Sequence, residues 1–221
     1  MIKAVFLDFY GTVVHEDGVA IVKVVGDIMK TSTTKNPDEI GMHWWRGFLK
    51  ECAECHGETF KTQRAIEMEC LTETIKHFGS EADPAALSDY LFAHWRKPEL
   101  FEDAKEFIEK CPLPVYLVSN IDIDDINKAV EYHGLKVAGI ITSEDARSYK
   151  PRPEIFELAM KQNGLKPEEV IHSGDSLSSD FEGATACGIK AFWLNRKGKE
   201  APEGVTSIAA LTDLLDMGIL S

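Results

Sequence analysis

The chain begins Met1-Ile2-Lys3-Ala4-Val5-Phe6-Leu7-Asp8-Phe9-Tyr10-Gly11-Thr12, a short apolar run that stops at a carboxylate and is followed by Gly and Thr. A run of this length, closed by turn-forming residues, predicts a buried strand. Four more such runs occur, at Val115–Val118, Ala138–Ile141, Val170–His172 and Ala191–Leu194. Between the later ones the apolar spacing is helical: Ile126, Ala129, Val130 and His133 share a face before Gly134, and Ile155, Phe156, Ala159 and Met160 do so before Gly164. Strand alternating with helix predicts an α/β fold, a Rossmann-like parallel sheet covered by helices. Ligands in such sheets lie beyond the carboxyl ends of the strands, which directs attention to the residues after each run.

Residues 15–97 break this rhythm. They hold no convincing strand but carry amphipathic helical spacings. Trp44, Trp45, Phe48, Leu49 and Cys52 form one expected stripe, Ile66, Cys70, Leu71, Thr74, Ile75 and Phe78 a second, and Leu87, Tyr90, Leu91 and Trp95 a third. An all-helical insertion directly after the first strand predicts two units: an α/β core of residues 1–14 and 98–221, and a helical cap of residues 15–97.

The strand ends carry the chemistry. Asp8 closes the first strand as an exposed carboxylate nucleophile would. Ser119-Asn120 follows the second, offering a hydroxyl and an amide to an anion. Lys150-Pro151-Arg152-Pro153 brings a lysine to the entry of a helix, and His172-Ser173-Gly174-Asp175-Ser176 ends another strand, with Asp180 five residues after Asp175. Two carboxylates on one turn opposite a third make a hard-oxygen site suited to Mg²⁺. Nucleophile, anion-holding hydroxyl, lysine and acidic loop together describe phosphoryl transfer through an aspartyl intermediate.

In these four motifs, in this order, the chain resembles the haloacid dehalogenase superfamily of hydrolases, and the helical insertion is similar to that family's cap. The resemblance implies that Asp8 attacks the substrate, that Ser119 and Asn120 bind the transferring group, and that Lys150 neutralises charge on it and on Asp8. It further implies that Asp8, Asp175 and the backbone carbonyl of Tyr10 hold Mg²⁺, with Asp180 supporting the metal shell. Thr12 is expected to fix the nucleophile loop, Gly11 to contact the substrate there, and Arg46, beside Trp45, to be a cap residue that meets the substrate carboxylate in the manner of the family's dehalogenases.

One position departs from the phosphatase pattern. Most phosphatases of the family carry a second Asp two places after the nucleophile as general acid and base; here Tyr10 stands there. A phenol of pKa about 10 is poorly matched to that work near neutral pH, and Tyr at this place is similar to the family's 2-haloacid dehalogenases, which expel a halide and use no metal. The Gly174-Asp175-Ser176 loop points the other way, because three carboxylates gathered without a cation repel one another. A Mg²⁺-dependent phosphatase of a small phosphorylated metabolite is therefore expected first, a 2-haloacid dehalogenase second, and a non-catalytic binder of a phosphorylated ligand third. A phosphatase of this kind takes its acid from elsewhere, a bound water or a flap residue such as His15.

Composition fits this reading. The 221 residues carry a net charge of −13, with 44% apolar residues, a globular balance. That charge argues against nucleic acid or an anionic membrane as partner and leaves a small anionic substrate, given local cations such as Lys150, Arg147 and Arg152. No run is long enough to span a bilayer. Asp8 interrupts what would be a signal peptide's apolar centre, so a cytoplasmic monomer or homodimer is expected, its five scattered cysteines reduced. Cys52-Ala53-Glu54-Cys55-His56 spells a haem-attachment pattern but falls in a helical segment and is read as packing. Asp122, Asp124 and Asp125 are read as loading a helix N-terminus, which suits its dipole.

Overall fold

A computed structural model describes residues 1–16 and 18–220. Six parallel strands form one sheet in the order β3-β2-β1-β4-β5-β6, with β1 Ala4–Leu7, β2 Val115–Ser119, β3 Gly139–Thr142, β4 Val170–Gly174, β5 Lys190–Leu194 and β6 Ser207–Ile208. β1 lies in the middle, and all four of its residues are fully buried because helices cover both faces. The strand period of two is visible in the packing: Val5 and Leu7 enter one apolar cluster, Ala4 and Phe6 the other.

The helices are α1 Val19–Thr31, α2 Pro37–Glu54, α3 Gln63–His77, α4 Pro84–Trp95, α5 Glu102–Lys110, α6 Ile123–His133, α7 Ser143–Ala146, α8 Pro153–Asn163, α9 Gly183–Ala186 and α10 Asp213–Asp216. Their ends follow local chemistry. Asn36 caps α2 by accepting from Asp38 N (3.0 Å), with Pro37 opening the first turn. Gly134 and Gly164 stop α6 and α8 in the left-handed conformation, at φ 61° and 62°. Among the described residues no helix is long and apolar enough to cross a membrane.

Helices α1–α4 follow β1 and share one continuous apolar cluster with a face of the sheet. The stripe expected along α2 divides. Trp44 and Cys52 are buried, whereas Trp45 and Leu49 are about half exposed, at 52% and 48%. Residues one place apart are rotated by about 100° on a helix, so only the Trp44 side can face the core.

Candidate active site

Strand register assembles the site. Leu7 pairs with Leu117 and with Ser173, so Asp8, Ser119 and Asp175 reach the same edge of the sheet, and Asp8 N donates to Ser173 O at 3.0 Å. Behind Asp8 the chain turns through Gly11 at φ +87°. A Cβ there would lie 2.7 Å from the Asp175 carboxylate, so glycine is what lets the loop after Asp8 approach the acidic loop. The two loops are then tied: Thr12 Oγ1 accepts from Asp175 N (3.0 Å), and Trp193 Nε1 donates to Asp175 O (2.9 Å).

Lys150 is the electrostatic centre. Its ammonium is buried and donates to Asp8 Oδ1 (2.6 Å), Asp180 Oδ1 (2.6 Å) and Val118 O (2.9 Å). Ser119 Oγ adds a bond to Asp8 Oδ1 at 3.2 Å. Asp180 sits in the π-helical turn Leu177–Glu182 and takes further bonds from Ser176 N (3.1 Å) and with His172 Nε2 (3.1 Å). Burial works against its charge, but Lys150 and His172 hold its carboxyl well below the ordinary range. Asp8 moves upward, because burial outweighs the help of Lys150. Asp175 is pushed up to about 7, first by burial and then by the charges of Asp8 and Asp180.

Oxygens of Asp8, Asp175 and Asp180 lie within 4.8 Å of one another. Lys150 serves two of these carboxylates directly, and no ion pair of the described residues reaches Asp175. A hard divalent cation suits such an all-oxygen set. The donor set therefore fits Mg²⁺.

A family model for haloacid dehalogenase-like hydrolases matches residues 2–188. The chain belongs to that family. This haloacid dehalogenase-like hydrolase is 34% identical over 128 residues to Haloacid dehalogenase-like hydrolase domain-containing protein 3 of Danio rerio; the match covers 52% of this chain and about half, 52%, of that relative. It is 26% identical over 206 residues to the (S)-2-haloacid dehalogenase of Xanthobacter autotrophicus, covering 91% of this chain and 78% of the relative. The solved L-2-haloacid dehalogenase structure from that organism shares the fold at a TM-score of 0.78, with 23% identity over 99% of this chain and all of the other. A shorter stretch of 52 residues is 48% identical to the glyceraldehyde 3-phosphate phosphatase of Pyrococcus furiosus, covering 24% of this chain and 21% of the relative.

Several residues of the hydrolase do other work than their motifs imply. The Tyr10 hydroxyl donates to Trp95 O at 2.7 Å, tying the loop after Asp8 to the end of α4, and burial raises its pKa far above its ordinary value. That phenol is spent as a tether. Both ends of the Asn120 amide hold the Lys150 backbone, through Lys150 N (2.7 Å) and Lys150 O (3.1 Å), so the Asn120 side chain positions Lys150. Gly11 N donates to Val14 O at 2.7 Å and is not open to a ligand. Arg46 is exposed on α2 and pairs with none of the site carboxylates. Arg147 donates to Gly57 O (2.9 Å) and Arg152 pairs with Glu154 (2.6 Å), so neither brings its charge to the site. Asp122, read as a simple dipole partner, accepts from Gln63 N (2.7 Å) and Arg64 N (3.0 Å) and so caps α3, while buried Asp125 pairs with Arg64 and Arg96.

Other functional contacts went unread in the sequence. His172 lies inside β4 beside Asp180, with a buried Nδ1 that has no partner among the described residues. Arg196, just after β5, donates to Thr12 O (2.8 Å) and pairs with Asp103 (2.8 Å). The signal available for both was only their place near a strand's carboxyl end.

Proposed function

We propose that this hydrolase is a Mg²⁺-dependent phosphatase of a small phosphorylated metabolite, working through an aspartyl intermediate. The observation that carries the reading is the carboxylate trio: Lys150 pairs directly with Asp8 and Asp180, and Asp175 beside them is raised to about 7, first by burial and then by the charges of Asp8 and Asp180. Asp8, Asp175 and the Tyr10 carbonyl would hold the ion, with Asp180 behind them, and the ion would supply charge stabilisation to a phosphoryl group in transfer. Asp8 would attack phosphorus as the ester P–O bond breaks, the departing alkoxide taking a proton from bound water or His15; water would then attack the acyl phosphate, pass its proton to solvent or the same group, and release phosphate with the Asp8 carboxylate restored. Ser119 and Lys150, both bonded to Asp8 Oδ1, would meet the equatorial oxygens. The helical segment 15–97 would close as a cap over the strand ends and exclude water.

The tethered Tyr10 phenol is a poor proton donor, so Tyr10→Phe is expected to slow p-nitrophenyl phosphate hydrolysis by less than tenfold. A general acid would cost roughly 10²–10⁴-fold on removal, and a loss of that size would give Tyr10 the acid's role after all. His15 lines the cleft beside Gly11 and Asp175, with its ring stacked on Phe101 at 3.7 Å, and would be the flap residue to protonate a poor leaving group if bound water does not.

A second reading, 2-haloacid dehalogenase, is favoured by Tyr10 itself and by the long match to the Xanthobacter enzyme. The metal separates the two. Asp175 titrates near 7 when folded against an ordinary 3.8, so between these values the metal-free native state binds more protons than the unfolded chain, and stability falls as pH rises. Buried Glu67, raised from 4.5 to about 7 by desolvation, has the same sign in the same window. Mg²⁺ is expected to raise the melting temperature more at pH 8 than at pH 5, and Asp175→Asn to abolish that gain while leaving the Glu67 slope. Equal melting curves with and without Mg²⁺ at both pH values would defeat the phosphatase reading.

A further inference from the structure

His172 lies in the middle of β4 with no exposed surface, between Phe6 of β1 and Ala191 of β5 in the strand register. Phe156 of α8 meets its ring edge to face, with the centroids 5.2 Å apart. An apolar side chain would satisfy that packing without burying a polar atom. The imidazole instead buries two nitrogens, and a buried polar atom without a bond costs free energy. Nδ1 has no partner among the described residues, while Nε2 lies 3.1 Å from Asp180 Oδ1. A carboxylate can only accept, so Nε2 is the nitrogen that carries the proton of this bond.

Both oxygens of Asp180 are engaged. Ser176 N donates to Oδ2 (3.1 Å), and Oδ1 receives His172 and the Lys150 ammonium, the latter at 2.6 Å. A Cβ on Gly174 would collide with the Asp180 carboxyl, so the last residue of β4 is what makes room for it. Lys150 in turn has three acceptors for its three hydrogens: Asp180 Oδ1, Asp8 Oδ1 and Val118 O. Bonds therefore run unbroken from His172 through Asp180 and Lys150 to Asp8, all four of them buried. We propose that His172 is a positioning residue of this hydrolase: its Nε2–H fixes which way the Asp180 carboxylate faces, and that carboxylate holds the Lys150 ammonium on Asp8. The inference takes Asp8 as nucleophile from the reading above and applies to either leaving group.

The test compares H172Q, H172N and H172L. Glutamine brings its amide nitrogen near the position of Nε2, asparagine nearer that of Nδ1, and leucine offers no donor. With p-nitrophenyl phosphate and Mg²⁺, H172Q is expected to stay close to wild type in kcat. H172N and H172L are expected to lose about 10–100-fold in kcat with KM little changed, the scale of a reacting group displaced by an ångström or less. Thermal stability runs the other way: leucine orphans no polar atom, whereas glutamine buries an unpartnered Oε1, so H172L melts at or above H172Q. Crossed orders of activity and stability separate positioning from packing. Crystal structures of the variants give the direct readout. The contact between Asp180 Oδ1 and Lys150 Nζ is expected to stay near 2.6 Å in H172Q, and to lengthen or pass to Oδ2 in H172L. H172L as fast as wild type, H172Q as slow as H172L, or an Asp180 carboxylate unmoved in H172L would overturn the inference. If the wild type released chloride from 2-chloropropionate and left the phosphate ester intact, the phosphatase reading would fall alone. The same order of variants would then be read on chloride release, and the position of the carboxylate is read without any substrate.

Discussion

Asp8→Asn is expected to stop turnover while leaving the protein folded. Asparagine keeps the shape of the side chain, and its oxygen can still accept from Lys150 and Ser119, as Asp8 Oδ1 does at 2.6 and 3.2 Å. Lys150 also keeps Asp180 as counter-charge. What would be lost is the anionic oxygen proposed to form the covalent bond. Removal of a nucleophile in other hydrolases costs on the order of 10⁶-fold, and a fall of at least ~10⁴-fold in hydrolysis of an activated substrate is expected here. Thermal unfolding should shift little, because one buried carboxylate whose pKa is raised by burial has been replaced by a neutral group. Turnover within tenfold of wild type would remove Asp8 from the mechanism. The same outcome would revive the non-catalytic reading only if the residual activity were shown to come from elsewhere in the preparation.

Lys150→Met should damage both stability and activity. Methionine keeps much of the stem but leaves Asp8 and Asp180, both buried, without the cation that each touches at 2.6 Å. Breaking a buried pair by removing one partner costs about 3–5 kcal/mol, and two carboxylates lose their partner here. The pH dependence identifies the cause. In the wild type the depressed Asp180 contributes stability that is present above its unfolded pKa and is lost as pH falls toward the folded value. Without Lys150 both carboxyls titrate upward, so the variant's deficit should be larger at pH 8 than at pH 5. Denaturant melts at the two pH values measure this directly. A deficit equal at both would assign Lys150's contribution to packing.

Much of this arrangement was legible in the sequence, for a physical reason. A parallel strand buried on both faces must be apolar along its length, so Ala4–Leu7, Val115–Ser119 and Val170–Gly174 announce themselves, and their polar ends mark the sheet edge where ligands collect. Asp8, Ser119 and Asp175 stand at or just past the ends of such runs, Asp180 lies in the turn that follows β4, and Lys150 stands shortly before α8. Asp8, Ser119, Lys150 and Asp180 meet through direct bonds, and Asp175 joins Asp8 and Asp180 in one group of oxygens.

What stayed hidden depends on contacts between residues far apart in the chain. Tyr10 reads only as a poor acid in the place where phosphatases carry Asp, and nothing local announces its bond to Trp95 O, 85 residues away. That both ends of the Asn120 amide hold the Lys150 backbone, 30 residues away, has no local signal either. The β5 loop, with Arg196 on Thr12 and Lys199 at the cleft, carries no spacing that separates it from an ordinary charged turn. β6, only two residues long, is too short to leave a period. The exposed side of α2 shows the same limit: its spacing supports two adjacent stripes, and only packing decides that Trp44 turns inward and Trp45 outward.

The central claim, that a carboxylate nucleophile works here beside a divalent cation on a phosphate ester, is tested most directly by one paired assay. The purified protein is given p-nitrophenyl phosphate and 2-chloropropionate, each with Mg²⁺ and with chelator. Phosphate release that requires Mg²⁺, with no chloride released in either condition, is the expected result. Chloride release that persists in chelator, without hydrolysis of the phosphate ester, would contradict it and make Tyr10 the better guide than Asp175.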